Sequence, residues 1–115
     1  MDNINKIGSA EVIVTKVNYD QSVLVAKDYA SENNYEFVQD TAFENYIEIP
    51  NWICQGYTCL IDEATREMSS QPTHVFLQVG VGSFAMAITS YLMNKFTQNP
   101  PVVVTVEPME AACIY

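Results

Sequence analysis

An α/β fold built as a three-layer parallel sheet with flanking helices is the class this sequence predicts. Short β-branched or aromatic runs alternate along the chain with stretches of helical periodicity. One run, Val102–Val106, is apolar on both faces, as a central parallel strand must be. Another, His74–Gln78, leads through two glycines into a helical segment, the junction expected of a strand–loop–helix unit.

The elements follow in order. Ala10–Val14 reads as a first strand, and Asp20 is placed to cap a helix through about Asn33, with Val23, Ala26, Lys27 and Ala30 on one face. Tyr35–Gln39 reads as the next strand, and Phe43-Glu44-Asn45-Tyr46 has no clean period and is assigned to a loop. Pro50 suits the first turn of a helix that carries Ile53, Tyr57, Leu60, Ala64 and Met68 at three- and four-residue spacings and stops at Ser69-Ser70-Gln71-Pro72. His74–Gln78 is a strand and Ser83–Lys95 a helix. Gln98-Asn99-Pro100-Pro101 then breaks the chain before the Val102–Val106 strand, and Met109–Tyr115 reads as the start of a further helix. That last stretch ends on two large apolar residues without a cap, so the chain is expected to be part of something longer. The one boundary the sequence marks lies near Asn33-Asn34.

Composition narrows the function. At 115 residues and 49% hydrophobic content the chain can bury a moderate core. Fourteen acidic against five basic residues give a net charge of −9, which repels nucleic acid and anionic membranes, so neither is expected as a partner. No apolar run reaches the roughly 20 residues that a bilayer requires, and Met1-Asp2-Asn3 opens a polar start without a signal-peptide pattern; a cytoplasmic protein is expected. Cys54, Cys59 and Cys113 are odd in number and lack Cys-x-x-Cys spacing, and His74 is the only histidine. A disulfide frame or metal cluster is therefore not expected, and the cysteines read as buried free thiols.

The chemistry concentrates at Gly80-Val81-Gly82-Ser83. Glycines at the end of a strand let the backbone turn tightly and aim its amides at a ligand, and the free N–H groups of the following helix carry partial positive charge. A phosphate or carboxylate suits such a loop, although a Gly-x-Gly between strand and helix also serves a turn alone. Ser83 stands where a P-loop would have lysine, and Ala85 takes the third glycine place of a dinucleotide fingerprint. A plain nucleotide-binding module would also need a ribose-binding acid about 20 residues further on, where Gln98–Pro101 offers none.

Three segments together resemble the pyridoxal-phosphate-dependent diaminopropionate ammonia-lyases. They are Val38-Gln39-Asp40-Thr41-Ala42-Phe43, Ile49-Pro50-Asn51-Trp52-Ile53-Cys54-Gln55-Gly56-Tyr57-Thr58, and Pro72-Thr73-His74-Val75-Phe76-Leu77-Gln78-Val79-Gly80-Val81-Gly82-Ser83. Asn18-Tyr19-Asp20, Val106-Glu107-Pro108 and Ala111-Ala112-Cys113 extend the resemblance over nearly the whole chain. Asn45 stands where the family usually has glycine, and Cys59 where threonine is common.

The resemblance implies a tryptophan synthase β-like (fold type II) architecture. Residues 1–43 would belong to a smaller α/β domain and 44–115 to a larger cofactor domain. It implies pyridoxal 5′-phosphate as cofactor, a small amino-acid substrate, a homodimer, and elimination of ammonia from 2,3-diaminopropionate to give pyruvate and ammonia. Asp40 matches the family's active-site aspartate, as base or substrate-amine anchor, with a turn cap through Thr41 as the other reading. Gly80, Val81, Gly82 and Ser83 would hold the cofactor phosphate. Glu107, at the C-terminal end of a strand, would border the cofactor ring or stand as a solvated carboxylate. Tyr46, Trp52 and Tyr57 read as core aromatics. The family's cofactor-bearing lysine lies in an earlier segment, and Lys6, Lys16, Lys27 and Lys95 match no such motif. The alternative is therefore a non-catalytic fragment or degenerate relative that binds a phosphate-bearing ligand without turnover.

Overall fold

The computed structural model describes residues 10–115. Met1–Asn3 and Lys6 lie outside the described residues. The chain divides into two compact units, with the division along the sequence between Phe37 and Val38.

The first unit is organised by helix α1, Tyr19–Glu32. Its N-cap is Asn18, whose side chain accepts a hydrogen bond from the Gln21 amide at 2.9 Å. The cap falls there and not at Asp20 because Asn18 has extended backbone, whereas Asp20 is already inside the first turn, where its charge complements the helix dipole. Ala30 is the buried residue of the helix. Ala10–Val14 and Tyr35–Gln39, expected as strands, are irregular. A β-branched sequence becomes a strand only in a ladder with another strand, and the two strands of the sheet pair with each other, elsewhere in the chain.

The second unit holds a β–α–β motif preceded by a long helix. Phe43 and Tyr46 form an isolated antiparallel bridge around Glu44, whose φ is +40°, so this segment is the loop its lack of period indicates. Helix α2 spans Glu48–Glu67, with Pro50 buried in its first turn. Strand β1, His74–Gln78, leads to helix α3, Ser83–Lys95, and to strand β2, Val102–Val106. The two strands pair in parallel, in a register that sets His74 opposite Val102 and Gln78 opposite Val106. At the opposite end of the sheet from the glycine loop, Gln71 ties its side-chain amide to the Asn99 carbonyl. Met109–Ala111 makes one 3₁₀ turn where a longer helix was expected, because Pro108 and the extended Ala112 bound it on either side.

The core of this unit lies between the helices and one face of the sheet. Ile61 from α2, Leu77 from β1 and Val79 just after it, and Ala85, Ile88 and Leu92 from α3 are buried together, with Val75 and Val103 packed against them. Cys54, Tyr57, Ile61 and Ala64 make the inward stripe of α2, while Leu60 and Met68, placed on the inward face by spacing alone, are exposed. The other sheet face is open, with Phe76 68% and Val102 55% exposed. The helices and the sheet thus supply two layers of a parallel α/β arrangement.

Side-chain pairs fix the direction of the helices. Cys54 and Tyr57 meet Ser83 and Phe84, while Asp62 and Thr65 meet Tyr91 and Lys95. Positions advance together, so α2 and α3 run parallel, as successive helices on one face of a parallel sheet must.

Candidate functional site

In a parallel sheet the loops leaving each strand emerge at one edge, so the segments after β1 and β2 lie together. The first of these is the glycine loop. Gly82 has φ +104°, a left-handed conformation that a side chain disfavours, and it forms the N-cap of α3 without any side-chain hydrogen bond. A side chain at Gly80 would meet open space, so that loop backbone is accessible. The Met86 amide bonds the Gly82 carbonyl at 2.8 Å, and helix geometry leaves the amides of the turn before it without intrahelical partners. No acidic residue occupies the first turn of α3. These features fit an anionic group such as phosphate, held by backbone N–H groups and the helix dipole.

Within the second unit, side-chain cations do not assist. The basic residues of the second unit are Arg66 and Lys95, and both are engaged with Asp62 at the other end of the helices. Backbone amides are therefore what the loop offers an anion.

Asp40 sits at this loop. The Ser83 hydroxyl donates to the Asp40 carbonyl oxygen at 2.8 Å, joining residues 43 positions apart in sequence. The hydroxyl of Thr41 lies 3.3 Å from Asp40 Oδ1, so the local turn contact is present as well. Asp40 is half-buried and belongs, with the glycine loop, to the second unit. The segment that carries it is braced by Tyr46, whose hydroxyl oxygen accepts from the Gln39 amide at 2.9 Å and whose ring stacks on Phe43 at 5.2 Å. Tyr57 packs edge-on against Phe84 at 5.4 Å, in support of the helix start, and Trp52 is exposed.

Cys54 is a site neighbour that the sequence reading did not single out. Its thiol lies 3.7 Å from the Ser83 carbonyl, in the geometry of a weak S–H···O bond. Burial pushes its pKa up and the Asp40 charge adds to the rise, so Cys54 is a neutral thiol at pH 7. The available signal was its place one turn before Tyr57 on the inward stripe of α2. Cys59 and Cys113 are exposed, contrary to the expected burial. Cys59 points away from that stripe, and Cys113 lies in the loop after β2. Among the described residues no three His, Cys, Asp or Glu side chains gather as metal ligands, and no helix is long and apolar enough to cross a membrane.

Glu107, the first residue after β2, is half-buried, and its Oε1 accepts the amides of Cys113 at 2.7 Å and Ile114 at 2.9 Å. The predicted site residues thus fall into two groups: Asp40 with Gly80, Val81, Gly82 and Ser83 around one loop, and Glu107 in the neighbouring one.

The chain is similar to known proteins in sequence and in fold. The family model described as pyridoxal-phosphate dependent enzyme matches residues 2–115. Diaminopropionate ammonia-lyase from Escherichia coli strain K12 is 46% identical over the whole of this chain, which spans 29% of that protein. The Salmonella typhimurium protein of the same name is 42% identical over 99% of the chain, again 29% of its own length. A crystal structure of the Escherichia coli enzyme in complex with an aminoacrylate-PLP azomethine reaction intermediate superposes with a TM-score of 0.92 at 47% identity. It covers 99% of this chain and 30% of that one. The chain therefore spans under a third of the length of these relatives.

Proposed function

The chain belongs to the pyridoxal-phosphate-dependent enzyme family, and within it we propose that it is part of a lyase that eliminates ammonia from 2,3-diaminopropionate to give pyruvate and ammonia. Pyridoxal 5′-phosphate is the cofactor, and the complete enzyme is a cytoplasmic homodimer of amino-acid catabolism. What carries the reading is the hydrogen bond from the Ser83 hydroxyl to the Asp40 backbone carbonyl, which ties the residue that bears the carboxylate to the glycine loop at the carboxyl edge of a parallel sheet.

When bound, the cofactor supplies an electron sink for the charge left on the substrate α-carbon. The amides of Gly80, Val81, Gly82 and Ser83 hold its phosphate. Glu107 shapes the rim of the ring site, and the carboxylate of Asp40 takes the α-proton or anchors the substrate amine. Residues 1–43 contribute to a smaller domain and 44–115 to the larger one.

The test is pyruvate release from 2,3-diaminopropionate by the complete enzyme and its Asp40→Asn variant. A loss of at least about 10²-fold, with cofactor still bound, is the expected result for removal of a general base. Unchanged turnover in the variant would remove Asp40 from the chemistry.

A further inference from the structure

Asp40 follows a residue whose two backbone groups are both met by one hydroxyl. The Tyr46 Oη accepts a hydrogen bond from the Gln39 amide at 2.9 Å and donates to the Gln39 carbonyl oxygen at 3.3 Å. In an antiparallel ladder a residue's backbone exchanges both bonds with the residue opposite; here a phenol makes them, and Gln39 lies outside any strand. One step along the chain, the Ser83 hydroxyl donates to the Asp40 carbonyl oxygen at 2.8 Å. The peptide planes on either side of the Asp40 Cα are thus each held by a hydroxyl through the carbonyl oxygen. Because each peptide unit is planar, holding both planes fixes φ and ψ between them, and with these the direction of the Cα–Cβ bond that bears the carboxylate. The Gln39 side-chain amide donates to the Thr41 carbonyl at 3.1 Å and so spans Asp40 as well.

Tyr46 has its own anchorage. Its amide donates to the Phe43 carbonyl at 2.7 Å, its carbonyl accepts the Phe43 amide at 3.3 Å, and its ring stacks on that of Phe43 at 5.2 Å. These contacts place the hydroxyl without depending on it. Resting on the reading of Asp40 given above, we propose that Tyr46 is a positioning residue for Asp40. Its hydroxyl holds the peptide that enters Asp40, Ser83 holds the one that leaves it, and together they aim the carboxylate. The role belongs to the hydroxyl and not to the ring, and it is exercised on Asp40 and not on the cofactor phosphate.

The experiment is a double-mutant cycle in the complete enzyme, with the parent, Tyr46→Phe, Asp40→Asn and the pair. Each is measured for kcat and KM in pyruvate release and for the dissociation constant of pyridoxal 5′-phosphate, and hydrogen exchange at the Gln39 amide is read without cofactor. Phenylalanine keeps the ring stack, so Tyr46→Phe should bind the cofactor as the parent does and exchange the Gln39 amide faster. Its kcat/KM should fall about tenfold, the equivalent of about one hydrogen bond, through the same parameter, kcat or KM, that Asp40→Asn alters. In the Asp40→Asn background the same substitution should change kcat/KM by no more than about twofold, because no carboxylate remains to be aimed. Equal losses in both backgrounds, cofactor binding weakened as much as turnover, or unchanged exchange at Gln39 would each overturn the proposal. Full turnover by Asp40→Asn would bring down the functional reading and this role together, whereas full turnover by Tyr46→Phe beside an impaired Asp40→Asn would bring down this role alone.

Discussion

The two ends of the α2–α3 pair are built from different chemistry. At the C-terminal end, the Tyr91 hydroxyl donates to Asp62 Oδ1 at 2.5 Å, Arg66 pairs with Asp62 Oδ2 at 2.6 Å, and Lys95 donates to Thr65 Oγ1 at 2.6 Å. At the N-terminal end the helices are joined by a weak thiol contact and an edge-on aromatic pair, and the first turn of α3 has no side-chain cap. One end satisfies its polar groups internally, and the other leaves the first-turn amides of α3 without a side-chain cap. The contrast teaches that polar cross-links and uncapped amides fall at opposite ends of the same two helices, with the buried Ile88 and Leu92 between them.

Substitutions should separate the ends. The largest stability loss is expected from Leu92→Ala, whose parent side chain is 0% exposed in the middle of the core. Loss of its contacts and the cavity left behind should cost about 3 kcal/mol in urea unfolding. A loss well under 1 kcal/mol would mean that α3 is packed more loosely than its burial indicates.

Gly82→Ala strikes the glycine-loop end. Space exists for the methyl group, since its nearest neighbour would be Ile114 Cδ1 at 3.8 Å, but φ +104° is strained for any residue with a side chain. About 1–2 kcal/mol of backbone strain is expected, relieved by movement of the loop, together with weaker binding of pyridoxal 5′-phosphate in a fluorescence titration. Unaltered affinity at reduced stability would remove the glycine loop from the cofactor site.

The smallest effect concerns acid. The Tyr91 hydrogen bond, with help from Arg66 and Lys95, holds the Asp62 carboxyl below the usual carboxylate range. A folded-state pKa below the unfolded one contributes stability that is present above the unfolded value, about 4, and lost as pH falls through the folded value. The urea midpoint should therefore decline on acidification, and Tyr91→Phe should flatten that decline while leaving cofactor affinity unchanged. An acid limb identical in the variant would deny the clamp its role.

Much of the second unit was legible in the sequence. β1, α3 and β2 have the bounds that their periodicities indicate, because each is a continuous run closed by Gly, Pro or Asn. The glycine loop was legible for the same local reason, since a left-handed residue at a helix start demands glycine. Helix α2 was legible as an element but not in its facing. Leu60 and Ile61 are equally apolar, and only contact with Leu77, Val79 and α3 turns Ile61 inward and leaves Leu60 out.

Local pattern by itself determined where helices, two strands and a glycine turn arise, since dihedral preference and apolar spacing act within a few residues. Tertiary structure decided what those elements meet. It denied Ala10–Val14 and Tyr35–Gln39 a strand, because strands exist only as pairs. It brought Asp40 to Ser83 across 43 residues, a contact between side chain and carbonyl that no spacing rule encodes. It also turned the Glu107 carboxylate onto the amides of Cys113 and Ile114, since hydrogen-bond partners are chosen by distance in the folded chain.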